Sequence, residues 1–225
     1  NVWVEENQEI GYLKIDRENP SRMLVSEMMI FANSLMAEFL SKNSMPAVFR
    51  SQAQPKQRLF KGIETSLSLN FMQRKQLSRA MIGTDPESHS GLGVKAYVTA
   101  TSPIRRYHDL LTQRQIKALF GYGKAYTKSE LDTIIQSVSM SIANAGRVQA
   151  SRKRYWITKY LESKKGTAYE ALVLDCHRDH YNVLVKEFML EAKLPPSGIR
   201  LKNGDVVQVT IQHADARRDQ LSLFV

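Results

Sequence analysis

Gly166 separates two stretches whose hydrophobic patterns demand different secondary structure, so the chain must combine a helical part with a β part. Ahead of it, residues 127–165 read as one long helix. Thr127 and Glu130 have the spacing of a capping box, and Gly166 is a fitting C-terminal stop. Behind it, AYEALVLDCHRD, YNVLVKEFMLEAKL and GDVVQVTIQHADARRDQLSLFV are short runs rich in Val and Leu with turns between them. About five strands in so short a span predict a small closed barrel. The helical part divides further. Pro20 and Ser21 introduce a helix over residues 20–42, with Leu24, Met28, Phe31, Ala32, Leu35 and Phe39 on the face that reads as core. Glu27, Ser34 and Glu38 form a narrow polar strip on the same helix. A strand pair is expected in residues 1–16 with its turn near 6–8, a short helix over 71–81, and another helix from Pro103 to Phe120, stopped by Gly121. The fold class is α+β.

Charge is distributed unevenly between the two parts. Residues 1–165 carry 25 Lys and Arg against 14 Asp and Glu, a net +11, while residues 166–225 carry 7 against 8, a net −1. A polyanion would be held chiefly by the first stretch, although a basic surface also serves solubility. At 225 residues there is enough chain for one sizeable core and a small second domain. No apolar run approaches the roughly 18 residues of a membrane span, and no signal-peptide pattern is visible. The single cysteine, Cys176, permits no internal disulfide, fits a reducing cytosol and reads as a buried structural residue. The nine aspartates are scattered, the nearest pairs being Asp175/Asp179 and Asp215/Asp219, and no His, Cys or Glu grouping has metal-ligand spacing.

Residues 97–115, YVTATSPIRRYHDLLTQRQ, carry the chemistry. Arg105 and Arg106 fall in what reads as the first turn of a helix capped by Ser102, with Pro103 at the first helical position. Cations at that end oppose the helix dipole, an arrangement that makes sense if a phosphate sits there. Asp109, four residues after Arg105, offers the plainer account of an i,i+4 ion pair on a solvated face. From these residues alone both readings stand.

His89, Gly91, Leu92, Tyr97 and the block TSPIRRYHD with Gln113 and Arg114 resemble the C-terminal signature of the ribonuclease II (RNB) exoribonuclease family. LVSEMMIFANSLMAEFL at 24–40, PAVFR at 46–50 with Pro55, and RVQASRKRYWITKYL at 147–161 are similar to further segments of that family, in the family's order. Ser90 and Thr99 depart from it, standing where an aromatic and a histidine are usual. The run GDVVQVTIQHAD with QLSLFV resembles the last strands of an OB-fold RNA-binding domain of the ribosomal S-one type.

The resemblance implies that residues 1–165 are the C-terminal portion of an RNB catalytic domain and residues 166–225 an OB-fold β-barrel. It implies metal-dependent 3′→5′ hydrolysis of single-stranded RNA to nucleoside 5′-monophosphates, with Mg²⁺ in the intact enzyme held by an aspartate cluster in the other half of the domain, and no ligands for it in this chain. The partner it implies is RNA, with no membrane, for a monomeric cytoplasmic enzyme. Arg105 then corresponds to the group that stabilises the transition state, and Arg106 to a phosphate contact. Glu27 and Asn33 fall at positions lining the path of the RNA 3′ end, Ser102 is a further RNA-binding residue, and Asp109 orients Arg105 or Arg106 or stabilises the helix. Arg114 holds either a phosphate or a structural carboxylate. His89 reads as structural. Tyr169, Tyr181 and Phe188 either stack on bases or belong to the barrel core. A noncatalytic RNA-binding relative, or a truncated module, is the alternative.

Overall fold

The computed structural model describes residues 2–6, 10–13 and 19–225, which form two compact units. One comprises the described residues within Asn1–Asp16, together with Ile63–Met72 and Asn144–Val225; the other comprises those within Arg17–Gly62, and Gln73–Ala143. In chain order the elements are β1 (Val2–Val4), β2 (Ile10–Tyr12), α1 (Pro20–Lys42), β3 (Phe49–Ser51), α2 (Leu67–Gln76), β4 (Met81–Gly83), a 3₁₀ turn (Ser90–Leu92), α3 (Tyr107–Leu119), α4 (Lys128–Glu162) and five strands. These are β5 (Ala168–Cys176), β6 (Tyr181–Val185), β7 (Leu190–Leu194), β8 (Val206–Asp215) and β9 (Gln220–Phe224). The α+β class expected from the pattern break is what forms.

The first unit is built on the five strands, which pair antiparallel in the order β7-β6-β5-β8-β9 and curl into a nearly closed barrel. The sequence of β7, LEAKL, alternates buried and exposed residues strictly, as a strand with one face on a core must. In β5 the four residues Ala171, Leu172, Val173 and Leu174 are all buried. Ala171 and Val173 face the barrel core, while Leu172 and Leu174 pack with Leu184 against Leu67 and Phe71 at the start of α2. The barrel core also takes in Ile157 and Leu161 from the last turns of α4, so it draws on residues that precede Gly166. Tyr12 of the β1–β2 pair packs there too, its ring 4.9 Å from Phe188 and 5.7 Å from Tyr160. The turn expected for that pair at residues 6–8 falls partly outside the described residues.

Phe188 is therefore core rather than a base platform, and Tyr169 leans on it at 5.1 Å. Tyr181 is half-buried and donates its hydroxyl hydrogen to the Ile199 carbonyl. Cys176, expected to be buried, is exposed. It ends β5 beyond the bulge at Val173/Asp175, and its Sγ lies 3.2 Å from Asn203 Oδ1.

In the second unit α1 begins as expected: Asn19 caps it by accepting the Ser21 N–H, and Pro20 occupies the first position. Its buried stripe is Asn33, Ala37 and Leu40, which meets Ala47, Phe49, Ala96 and Val98. The face formed by Leu24, Met28, Phe31, Leu35 and Phe39, expected to be core, is exposed. The helix is apolar on more than one side, so periodicity alone selected the wrong face. For the same reason α1 is, by length and composition only, apolar enough to cross a membrane, contrary to the expectation that no run reaches that threshold.

The short helix expected at 71–81 sits earlier, at Leu67–Gln76, because Ser66 Oγ accepts the Leu69 N–H and starts it; Met81 already belongs to β4, which pairs with β3. Gly121 ends α3 with a left-handed backbone (φ +79°), its N–H on the Ala118 carbonyl. The Thr127–Glu130 capping box is formed in both directions: the Thr127 N–H donates to Glu130 Oε2 at 2.7 Å, and the Glu130 N–H to Thr127 Oγ1 at 3.2 Å.

Candidate nucleic-acid interface

The arginine pair is displayed on a turn that precedes a helix. The N–H groups of Arg105 and Arg106 both donate to the Ser102 carbonyl, at 3.2 and 3.0 Å. Arg106 then adopts an extended backbone and α3 starts only at Tyr107. Ser102 is therefore not the cap of a helix beginning at Pro103, since the extended conformation at Arg106 interrupts it. Arg105 and Arg106 are exposed, and Ile104 between them and Pro103 is fully so. The result is a projecting tip with two guanidiniums just ahead of a helix N-terminus, where free N–H groups also favour an anion.

Asp109 does not reach either guanidinium. Its Oδ2 accepts the Ser102 backbone N–H at 2.8 Å, and its Oδ1 is buried with no hydrogen-bond partner. The carboxylate is 0% exposed, so the i,i+4 ion pair on a solvated face is corrected to a buried side-chain-to-backbone bond. Asn33 is likewise 2% exposed and cannot line an open RNA path in this structure. Its Nδ2 donates to the Tyr97 hydroxyl at 3.1 Å and its Oδ1 accepts the Ala100 N–H at 3.1 Å. Gln113, one turn beyond Asp109 on α3, donates to the Ala100 carbonyl at 2.7 Å. Glu27 lies exposed on α1, six residues before Asn33. Arg114 is exposed and donates to the Tyr126 hydroxyl at 2.9 Å, a structural contact that involves no carboxylate.

Two residues escaped the sequence reading as supports. Gln113 was visible only as part of a signature, although its i,i+4 spacing from Asp109 places both on one helix face. Gln115, fully buried, donates to the carbonyls of Pro46 (2.6 Å) and Tyr126 (2.9 Å) and accepts the Tyr126 N–H (2.8 Å). A glutamine amid polar helix residues carries no local signal of such a role.

His89 is structural as expected. It is buried, its ring meets Tyr97 edge-on at 5.8 Å, and its N–H donates to the Val94 carbonyl. Burial, aided by the Arg50 charge, holds its imidazole below the usual histidine range. Burial also lowers His108, partly offset by neighbouring Asp109. Both imidazoles thus resist protonation when folded, whereas the unfolded chain takes up protons as pH falls through about 6.5. Stability is fully present above that value and declines below it. We expect a lower melting temperature near pH 5.5 than near pH 7.5, with a smaller difference in a His89→Asn/His108→Asn variant. An equal drop in both proteins would assign the effect to other groups.

The sequence model of the RNB domain matches residues 1–122. The chain belongs to the RNB domain family. A ribonuclease of Synechocystis sp. described as uncharacterised is 32% identical over 212 residues, spanning 89% of this chain and 31% of that protein. The chain thus covers about a third of the length of that RNB relative. The fold is shared with the Dss1 exoribonuclease of Candida glabrata, at a TM-score of 0.83 and 22% identity over all of this chain and 31% of that one. It is shared too with Mycoplasma genitalium RNase R, solved with ribose-methylated single-stranded RNA, at a TM-score of 0.72 and 17% identity over 100% and 44% of the two chains. The RNB match takes in α1, the arginine turn and the whole of α3. Among the described residues no three His, Cys, Asp or Glu side chains are grouped so as to hold a metal ion. The divalent ion implied by the RNB family therefore finds no fitting ligand set among the described residues, and no step through it is assigned to them.

Proposed function

We propose that this RNB chain is the part of a 3′→5′ exoribonuclease that grips the phosphates at the end of a single-stranded RNA. The observation that carries the reading is the Ser102–Arg106 turn, which projects two guanidiniums beside the start of α3. A guanidinium fork matches two phosphate oxygens, and a fixed cation is most effective where charge builds up during hydrolysis. Arg105 serves that transition-state role and Arg106 the neighbouring phosphate, with Glu27 available to ribose hydroxyls. Ser102 supports the pair through its backbone, and Arg114 adds positive charge on the exposed side of α3. The five strands act as an OB-type accessory surface for the same RNA. The names and RNA complex of the relatives support this assignment, as does the net charge of +10. The same reading places Mg²⁺ and its carboxylates in a part of the complete enzyme that these residues do not supply, and takes that enzyme as monomeric, cytoplasmic and productive of nucleoside 5′-monophosphates.

The absence of a carboxylate grouping among the described residues favours, as a second reading, a module that binds RNA without cleaving it. Both readings predict that the 225-residue chain releases no nucleotides from end-labelled single-stranded RNA in Mg²⁺. Metal-dependent release that persists through extensive purification would overturn this. Both also predict RNA binding whose log–log salt slope falls by roughly 1–2 in an Arg105→Ala/Arg106→Ala variant, about 0.7 per phosphate contact. An unchanged slope would remove the arginine turn from the interface. Joining the chain to an RNB segment with the acidic cluster separates the two readings, because only the first expects hydrolysis to appear.

A further inference from the structure

We propose that Asn33, Asp109 and Gln113 are positioning residues that pre-set the two arginines by clamping the backbone ahead of them. Residues 99–102 lie in no ladder: the last sheet-like contacts before them are the Phe49–Val98 bridge and the Arg50 N–H on the Tyr97 carbonyl. A free loop there would leave the arginine turn mobile. Instead, side chains take up its backbone groups one after another. Asn33 Oδ1 accepts the Ala100 N–H, Gln113 Nε2 donates to the Ala100 carbonyl, and Asp109 Oδ2 accepts the Ser102 N–H. The Ser102 carbonyl then receives the N–H groups of Arg105 and Arg106. The clamp thus runs from α1 and one face of α3, through Ala100 and Ser102, to the two guanidiniums.

The cost of building it is visible at Asp109. A carboxylate wholly out of solvent, with one oxygen lacking any hydrogen-bond partner, is expensive unless its remaining bond matters. The charge strengthens the bond to Ser102 N–H, and its burial prevents Asp109 from reaching out to compete with an incoming phosphate. The three side chains act through the arginines and touch no RNA. This rests on the RNA-binding reading above, and it makes a prediction of opposite sign to simple electrostatics. Removing a negative charge close to a polyanion site ought to tighten binding; removing the clamp ought to weaken it.

The test uses the full 225-residue chain and a 5′-labelled single-stranded oligonucleotide at low salt. Arg105→Ala/Arg106→Ala is expected to weaken binding about tenfold, and Asp109→Ala to weaken it by a comparable factor. The combined variant should be no weaker than the arginine variant, because both changes disable one unit. Asp109→Asn, which keeps an acceptor for Ser102, should recover most of the affinity. Gln113→Ala, at a half-buried position, gives the same cycle should Asp109→Ala fail to fold. Wild-type affinity or tighter in Asp109→Ala, or losses that simply add, would overturn the proposal. If the arginine variant itself binds normally, the RNA reading of this turn has failed, and the clamp is judged separately by hydrogen exchange. The Ser102 amide should be protected in the wild type and in Asp109→Asn, and unprotected in Asp109→Ala; protection in all three would sink the clamp.

Discussion

Replacing Gln115 by Ala should lower the stability of the helical unit by at least about 3 kcal/mol. The substitution strands three backbone groups at once, the carbonyls of Pro46 and Tyr126 and the Tyr126 N–H, and each unsatisfied buried group costs roughly 1–3 kcal/mol. A further loss comes from the space vacated beside Met45, whose sulfur lies 3.7 Å from the amide nitrogen. No substitution of similar size rescues the site. Leucine supplies volume without polar atoms, and glutamate sets a buried charge against two carbonyls. Since domains have only about 5–15 kcal/mol in hand, urea unfolding followed by hydrogen exchange in residues 107–135 should register the loss clearly. A change below about 1 kcal/mol would show that water replaces the amide without penalty.

The other large effect belongs to Arg105. Within a complete RNB catalytic domain built on this chain, Arg105→Ala should slow single-turnover hydrolysis by at least about a hundredfold, the 3–4 kcal/mol typical of one transition-state donor. Equilibrium RNA binding should fall far less, since Arg106 and the general basic surface remain. Arg105→Lys should recover only part of the rate, because an ammonium lacks the planar fork. Equal losses of rate and affinity would make Arg105 an ordinary phosphate contact. Arg106→Ala on the same enzyme should show that equal pattern.

These two residues sit at opposite ends of what a sequence discloses. Arg105 belongs to a compact block whose chemistry is written in adjacent positions. Gln115 acquires its importance from Pro46, some seventy residues away, and nothing near it hints at the contact. Asn33 shows the same divide within a single residue. Its place on the α1 helix was legible, yet its burial and the turn of its amide inward to Tyr97 and Ala100 were not. Asp109 reads from the sequence as the partner of Arg105 or Arg106, but it bonds the Ser102 backbone instead. An i,i+4 rule describes exposed helix faces. It could not anticipate that the helix would start four residues late and leave the Ser102 N–H within reach.

The α+β class, the long helices and the β-rich end of the chain, together with the family signature, were determined by the sequence alone, because caps, glycine stops and period-two alternation act over a few residues. The capping box at Thr127, the left-handed stop at Gly121 and the strict alternation of β7 all follow from that local physics. Which face of α1 is buried, whether Phe188 stacks on bases or fills the barrel, and where α3 begins were decided only by tertiary structure. Each depends on a balance between burial and hydrogen bonding with groups distant in sequence. Leu24, Phe31 and Leu35 are as apolar as any core residue, and only the packing of Ala37 and Leu40 against Phe49 and Val98 settled which side of the helix turned inward.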